Sequence, residues 1–193
     1  MDYARDEDSR WSEIYDTGRD FTLATSHTIE KVLAYTDKSL PKNHLDLGCG
    51  TGQLTRELYH RGYDSIGVDI SSTAIRLAKN ATVRPGLTYI QADLESDFSK
   101  ISELSKSKYS LITTKLVFAF VKNKPKFLDN VTKLLADGGT FVIITPDIES
   151  TEVEKRKIAV DRKKTYALLS EVFQSVEIFE IHGLTYFICK NHK

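Results

Sequence analysis

The stretch Leu45-Asp46-Leu47-Gly48-Cys49-Gly50-Thr51-Gly52-Gln53 decides the fold. Residues 44–47 form a short run that reads as a strand and ends in a glycine cluster. A helix is expected to start near Thr51 or Gly52. Leu54 and Leu58 lie four residues apart on one face of it, and Gly62 is placed to end it. In a strand, glycine turn and helix in this order, the backbone can approach a ligand closely. The helix N-terminus adds a preference for negative groups.

Two carboxylates sharpen this reading. Asp69 stands about twenty residues past the turn, where an acid can accept hydrogen bonds from both hydroxyls of an adenosine ribose. Asp46 lies inside the first strand, just ahead of the glycines. A carboxylate there is unhelpful beside a pyrophosphate and suits a ligand that carries an ammonium. Gly48, Gly50 and Gly52 give G-x-G-x-G, with Gln53 where the dinucleotide fingerprint has its third glycine. S-adenosylmethionine, with an ammonium, a sulfonium and a ribose, fits these groups better than a dinucleotide does.

From residue 45 onward, apolar runs alternate with helical patterns, the mark of a parallel sheet covered by helices. Strands are expected at 65–69, 87–91, 109–113 and 140–145, with a turn at Asp137-Gly138-Gly139. Ser71 or Ser72 offers an N-cap for a helix to about Asn80, and Pro125 suits the first turn of another. A helix from about Glu152 to Phe173 is followed by strands 176–181 and 184–189. The pair His182-Gly183 joins them as a hairpin, so the sheet should end antiparallel. In the first forty residues, helices are expected at 10–15 and 26–36. Two readings stand for them: a lid at the ligand-binding edge, or plain cover for the sheet.

The run 45–53 resembles the first motif of class I S-adenosylmethionine-dependent methyltransferases. Gly67-Val68-Asp69-Ile70-Ser71 looks like the second motif and Gln91-Ala92-Asp93-Leu94 like the third. The stretch from Leu134 to Thr140 looks like the turn before the family's fifth strand. The resemblance covers about residues 43–190. It implies a Rossmann-like α/β three-layer sandwich, with a seven-stranded, mostly parallel sheet of order 3-2-1-4-5-7-6. It also implies one methyltransferase domain over 1–193, with 1–40 as a helical cap and 43–190 as the core.

By the same resemblance, Gly48, Cys49 and Gly50 run along the methionine part of the cofactor, and Asp46 holds its ammonium. Asp69 binds the ribose and Ile70 packs on the adenine. Asp93 accepts from the adenine amino group and Leu94 flanks the ring. Thr114 or Lys115 lies near the methionine end and the substrate. Plainer readings stand beside these: Asp93 as a turn cap, Asp46 as a buried acid satisfied by backbone donors, and Cys49 as a packing residue.

The family has no universal catalytic residue. Candidate bases are Tyr15, His27, Lys115 and His182, against the ordinary role of a lone histidine on the surface or in the core. Trp11, Tyr15 and Phe21 resemble the entry segment of small-molecule methyltransferases of the thiopurine and tellurite-resistance type, which makes them candidate walls of the acceptor pocket. Their other reading is ordinary packing. The expected acceptor is a small molecule, because nearly the whole chain is core fold.

Composition bounds the alternatives. The 193 residues are 40% hydrophobic and 28% charged, as in an ordinary globular chain. Lys plus Arg and Asp plus Glu are 27 each, so no global basic surplus points to nucleic acid. Lys155, Arg156, Lys157, Arg162, Lys163 and Lys164 form a local basic run, read as a solvated face balanced by Glu152, Glu154 and Asp161. The Asp/Asn-Pro-Pro-Tyr/Phe motif of DNA amino-methylating enzymes is absent after residue 113, which speaks against DNA. RNA and protein acceptors stay open, and no oligomeric state is specified.

No apolar run is long enough for a membrane span. Cys49 and Cys189 give no disulfide framework and no zinc spacing, so no metal is expected and the default location is cytoplasmic. Tyr109-Ser110 stands where the family often has an aspartate, which keeps a catalytically weak cofactor-binding subunit in view. A nicotinamide-dependent oxidoreductase is the remaining alternative, opposed by the glycine spacing, Asp46 and the terminal hairpin.

Overall fold

The computed structural model describes residues 3–19, 21, 24–82, 84–103 and 108–193. Seven strands form one sheet: β1 (Asn43–Leu47), β2 (Asp64–Asp69), β3 (Leu87–Gln91), β4 (Tyr109–Lys115), β5 (Leu135–Thr145), β6 (Phe173–Ile181) and β7 (Leu184–His192). Their order is β3-β2-β1-β4-β5-β7-β6. Strands β1 to β5 pair in parallel, and β7 pairs antiparallel with both neighbours. His182 and Gly183, at φ 52° and 73°, make the two-residue turn between β6 and β7. Two left-handed residues match the twist of the flanking strands.

Helices cover both faces because the central strands are apolar on both. Along β5, Phe141 and Ile143 enter one core with α6 (Lys124–Leu134) and α7 (Arg162–Val172). Val142 and Ile144 enter the other core, with α2 (Ser26–Leu33) and α3 (Gln53–Tyr59). A smaller cluster joins α4 (Ser72–Ala81) to β3. Caps follow the residue chemistry: Ser71 accepts from the Ala74 N–H at 3.1 Å, and Asp161 accepts from the Lys164 N–H at 3.0 Å.

The two helices of the first forty residues lie in different places on the sheet. The first, α1 (Tyr3–Asp16), is longer than expected and lies at the carboxyl end of the strands. Its polar face sits on the start of α4. The Ser72 N–H donates to Asp8 at 2.8 Å, and the Ser12 and Ser71 hydroxyls meet at 2.9 Å. The second, α2, ends at Leu33 rather than Thr36. It buries Ile29 and Val32 against the sheet and plainly covers it.

The sequence reading also joins two elements that are separate. Residues 153–158 form a 3-10 turn, and the chain then extends at Val160, which bridges Asp147 before α7 begins. The break has a cause: Arg162 ion-pairs with the buried Asp147 and with Glu180, and Asp161 caps the new helix. The helix α5 (Phe98–Glu103) carries little apolar periodicity and is not apparent in the sequence. The turn at 137–139 lies inside β5, as an irregularity in its ladder with β4 between Tyr109 and Leu111.

Phe141 is fully buried between Phe127 and Phe173, at centroid distances of 6.4 and 6.0 Å. Phe141→Ala is expected to lower unfolding stability by about 3–5 kcal/mol, read as a shift of the urea midpoint.

Candidate functional site

The carboxyl ends of β1, β2 and β4 open into a cavity of about 680 Å³. Its floor is the turn after β1. The Gly48 and Cys49 N–H groups both donate to the Val68 carbonyl, at 2.7 and 2.9 Å, and the Gly50 N–H donates to the Asp69 carboxylate at 2.8 Å. The turn is thereby tied to the end of β2. Gly48 has φ 78°, and a Cβ there would run into the Val117 side chain. Both the backbone conformation and the space demand glycine.

Val117 reaches this position through an uncommon backbone. Leu116 has φ 61°, costly for a bulky residue, and its N–H is held by the Ile144 carbonyl at 2.8 Å. From below, the Tyr89 hydroxyl donates to the Gly52 carbonyl at 3.2 Å. From the side, Gln53 brackets the Ala24 backbone with two bonds of 3.0 Å, tying the N-terminal segment to the turn.

Three aspartates line the inner end. Asp69 accepts from the Gly50 and Ser71 N–H groups. Burial pushes its carboxyl up to about 6; the two backbone donors work downward and the neighbouring Asp46 upward. Burial likewise raises Asp46, against the hydroxyls of Thr55 and Thr113, each donating at 2.7 Å, and the charge of Lys115. Its donors are side chains, not the backbone groups considered from sequence. Asp93 accepts from the Glu95 N–H and the Ser96 hydroxyl, both at 2.9 Å, so it caps its own turn while facing the cavity. Ile70 and Leu94 complete this end.

Cys49 faces the cavity but behaves as a packing group. Burial, with Asp69 and Asp46 nearby, holds its thiol well above the usual range, and it packs against Tyr89 and Ile75's cluster on β3 and α4. A thiol held protonated is a poor nucleophile.

The outer end is aromatic. Trp11 meets Phe120 at 5.1 Å and Phe21 at 6.3 Å, and Tyr15 meets Phe21 at 5.8 Å, all edge to face. Lys155, Lys157 and Ile158 of the 3-10 turn stand on the far rim. Among the candidate bases, Tyr15 and Lys115 line the cavity, whereas His27 and His182 are exposed elsewhere. Thr114 does not reach it. Side chains alternate along β4, so Thr113 and Lys115 share the cavity's side while Thr114 is wholly buried on the other.

Phe120, Val117, Thr55 and Thr113 escape the sequence reading. Phe120 had a faint signal, the apolar run past the end of β4; the threonines had none, since their role depends on strand register. Among the described residues, no group of three or more His, Cys, Asp or Glu is arranged to hold a metal ion. No described helix is long and apolar enough to cross a membrane.

Comparisons with known proteins give the family and the fold. A family described as "Methyltransferase domain" matches residues 40–183. An uncharacterised methyltransferase of Oceanobacillus iheyensis is 26% identical over 170 residues, covering 83% of this chain and 75% of that one. The 2-heptyl-1-hydroxyquinolin-4(1H)-one methyltransferase of Mycobacteroides abscessus is 27% identical over 126 residues, 59% of this chain and 55% of that one. The chain thus spans about half the length of some of the curated relatives it matches. A TehB-like S-adenosylmethionine-dependent methyltransferase from Corynebacterium glutamicum superposes with a TM-score of 0.62 at 17% identity, covering 98% of each chain, which is a likeness of fold.

Gly48→Ala is expected to destabilise the protein by about 1–3 kcal/mol, through its positive φ and the clash with Val117. Pairing it with Val117→Ala should recover only part of that loss. Chemical denaturation of the single and double variants measures both.

Proposed function

The chain belongs to the class I S-adenosylmethionine-dependent methyltransferase family, and on that premise we propose that it transfers a methyl group to a small, largely apolar acceptor seated against the aromatic wall. The observation that carries this reading is the division of one cavity into two chemistries. Carboxylates and a glycine turn form the inner end, and an aromatic wall forms the outer end.

The inner end suits the cofactor in charge and shape. Asp46, Asp69 and Asp93 would repel a pyrophosphate and attract an ammonium and hydroxyl donors, which argues against a nicotinamide cofactor. In this reading Asp69 accepts from the ribose hydroxyls, Asp46 from the ammonium, and Asp93 from the adenine amino group. Ile70 and Leu94 sandwich the ring, and Gly48, Cys49 and Gly50 run beside the methionine chain. Lys115, half-buried beside Asp46, stands where a carboxylate would be held.

When bound, S-adenosylmethionine supplies a methyl group on a sulfonium, already an excellent leaving group. The acceptor lone pair forms the new bond to carbon as the carbon–sulfur bond breaks, and S-adenosylhomocysteine departs with that electron pair. The protein's share is then mainly alignment and exclusion of water. Trp11, Phe21 and Phe120 supply both at the outer end, where the Tyr15 hydroxyl also lines the cavity. The quinolone named for the Mycobacteroides relative is the kind of flat, apolar acceptor such a wall would hold.

Calorimetric titration with S-adenosylmethionine, S-adenosylhomocysteine and NAD tests the cofactor. The first two are expected to bind and NAD to fail; the reverse would overturn the reading. Asp69 must be ionised to accept from two hydroxyls. Its carboxyl sits at about 6 in the free protein, so S-adenosylhomocysteine affinity is expected to fall as pH drops through that value. Asp69→Asn should weaken binding by at least about tenfold and flatten this pH dependence.

The wall is tested separately by S-adenosylhomocysteine release across a panel of planar hydroxylated aromatics. Trp11→Ala is expected to lower turnover about tenfold while leaving cofactor affinity within about threefold. Loss of both, or of neither, counts against a wall for the acceptor.

A further inference from the structure

Beneath Asp46 lies a line of polar side chains that runs across one face of the sheet. The Asp46 carboxylate accepts from Thr55 on α3 at one oxygen and from Thr113 on β4 at the other, both at 2.7 Å. The Thr113 hydroxyl also meets His44 Nε2 at 2.8 Å, and His44 Nδ1 meets the Ser65 hydroxyl on β2 at 3.2 Å. All five side chains are buried, none more than 1% exposed. Strand register lays them out: Asp46 stands opposite Thr113, His44 opposite Ser65, and His44 and Asp46 share one face of β1.

Counting protons gives the line a direction. An ionised carboxylate only accepts, so Thr113 spends its single proton on Asp46. Thr113 must then accept from His44, which places the imidazole proton on Nε2 and leaves Nδ1 to accept from Ser65. A wholly buried imidazole is neutral here, since burial lowers its pKa to about 3, and a neutral ring has one donor and one acceptor to offer. Other ionisable groups around the carboxylate are Lys115, Asp69, Cys49 and Tyr89.

A buried core could hold apolar side chains at these places more simply. Three polar partners in series on one oxygen of a carboxylate, with a fourth on the other, call for an account. We propose that Thr113, Thr55 and His44 are positioning residues for the cofactor, bracketing the Asp46 carboxylate so that it stays ionised and aimed at the ligand's ammonium. This rests on the cofactor reading above. Two hydroxyls fix the plane of the carboxylate and leave its outward lone pairs for the cavity, while His44 aligns the hydroxyl of Thr113.

The test uses two ligands that differ in the amino-acid portion. S-adenosylhomocysteine carries the ammonium, and 5′-methylthioadenosine keeps the adenosine and sulfur without it. Dissociation constants for both are measured by calorimetry on wild type, Thr113→Val, Thr113→Ser and His44→Leu. Thr113→Val keeps the branched shape and removes the hydroxyl. It is expected to weaken S-adenosylhomocysteine about tenfold and methylthioadenosine by less than about twofold. Thr113→Ser should bind both ligands like wild type. His44→Leu should weaken S-adenosylhomocysteine alone, by about threefold.

Should Thr113→Val fail to fold, Thr55→Val removes the other donor from a different element and reads the same selectivity. Equal weakening of both ligands would mean general damage to the site and would overturn the proposal, as would unchanged affinity for S-adenosylhomocysteine. Wild type that binds neither ligand would instead overturn the cofactor reading itself.

Discussion

The bonds between the turn after β1 and the end of β2 are the constraint on which the site depends. Two N–H groups of the turn converge on one carbonyl of Val68, and a third reaches the Asp69 side chain. A loop held this way cannot drift relative to the sheet. It fixes the cavity floor, orients Asp69 and sets where α3 begins. The contacts of Val117 and Tyr89 then press on the glycines from two sides, so the turn is held by packing as well as by hydrogen bonds.

The electrostatics of the inner end work against folding. Burial raises both Asp46 and Asp69, which means that each charge is less comfortable here than in water. The structure answers with donors: backbone N–H groups for Asp69, hydroxyls for Asp46, and the nearby charge of Lys115. A ligand bringing an ammonium and hydroxyls would relieve the same strain. Binding and folding are therefore linked at this end of the cavity, and a bound cofactor would stabilise the fold by mass action.

Much of this was legible in the sequence, for identifiable reasons. Parallel strands buried on both faces leave continuous β-branched and apolar runs, as at residues 140–145, and the strand order and terminal hairpin came out as expected. Serine and aspartate caps are local signals and fell where their chemistry put them. What was not legible depends on contacts distant in the chain. The break before α7 comes from the Arg162 ion pair with Asp147, invisible to helical periodicity. The faces of Thr113 and Thr114 were unresolved because a fully buried strand lacks the alternation that tells one side from the other. Phe120 joins the aromatic wall only because α1 brings Trp11 to it.

The placement of α1 and the 3-10 turn decides which parts of the cavity the fold itself holds. Trp11, Phe21, Lys157 and Ile158 belong to segments laid over the sheet's edge, and none of them is fully buried in either core cluster. Asp46, Gly48 and Asp69 belong to the sheet and its first turn. Substitutions at the rim therefore disturb neither core, whereas Gly48→Ala at the floor disturbs the fold through its positive φ and the Val117 side chain. A cavity built on this plan joins a floor that cannot change without the sheet to a rim that can.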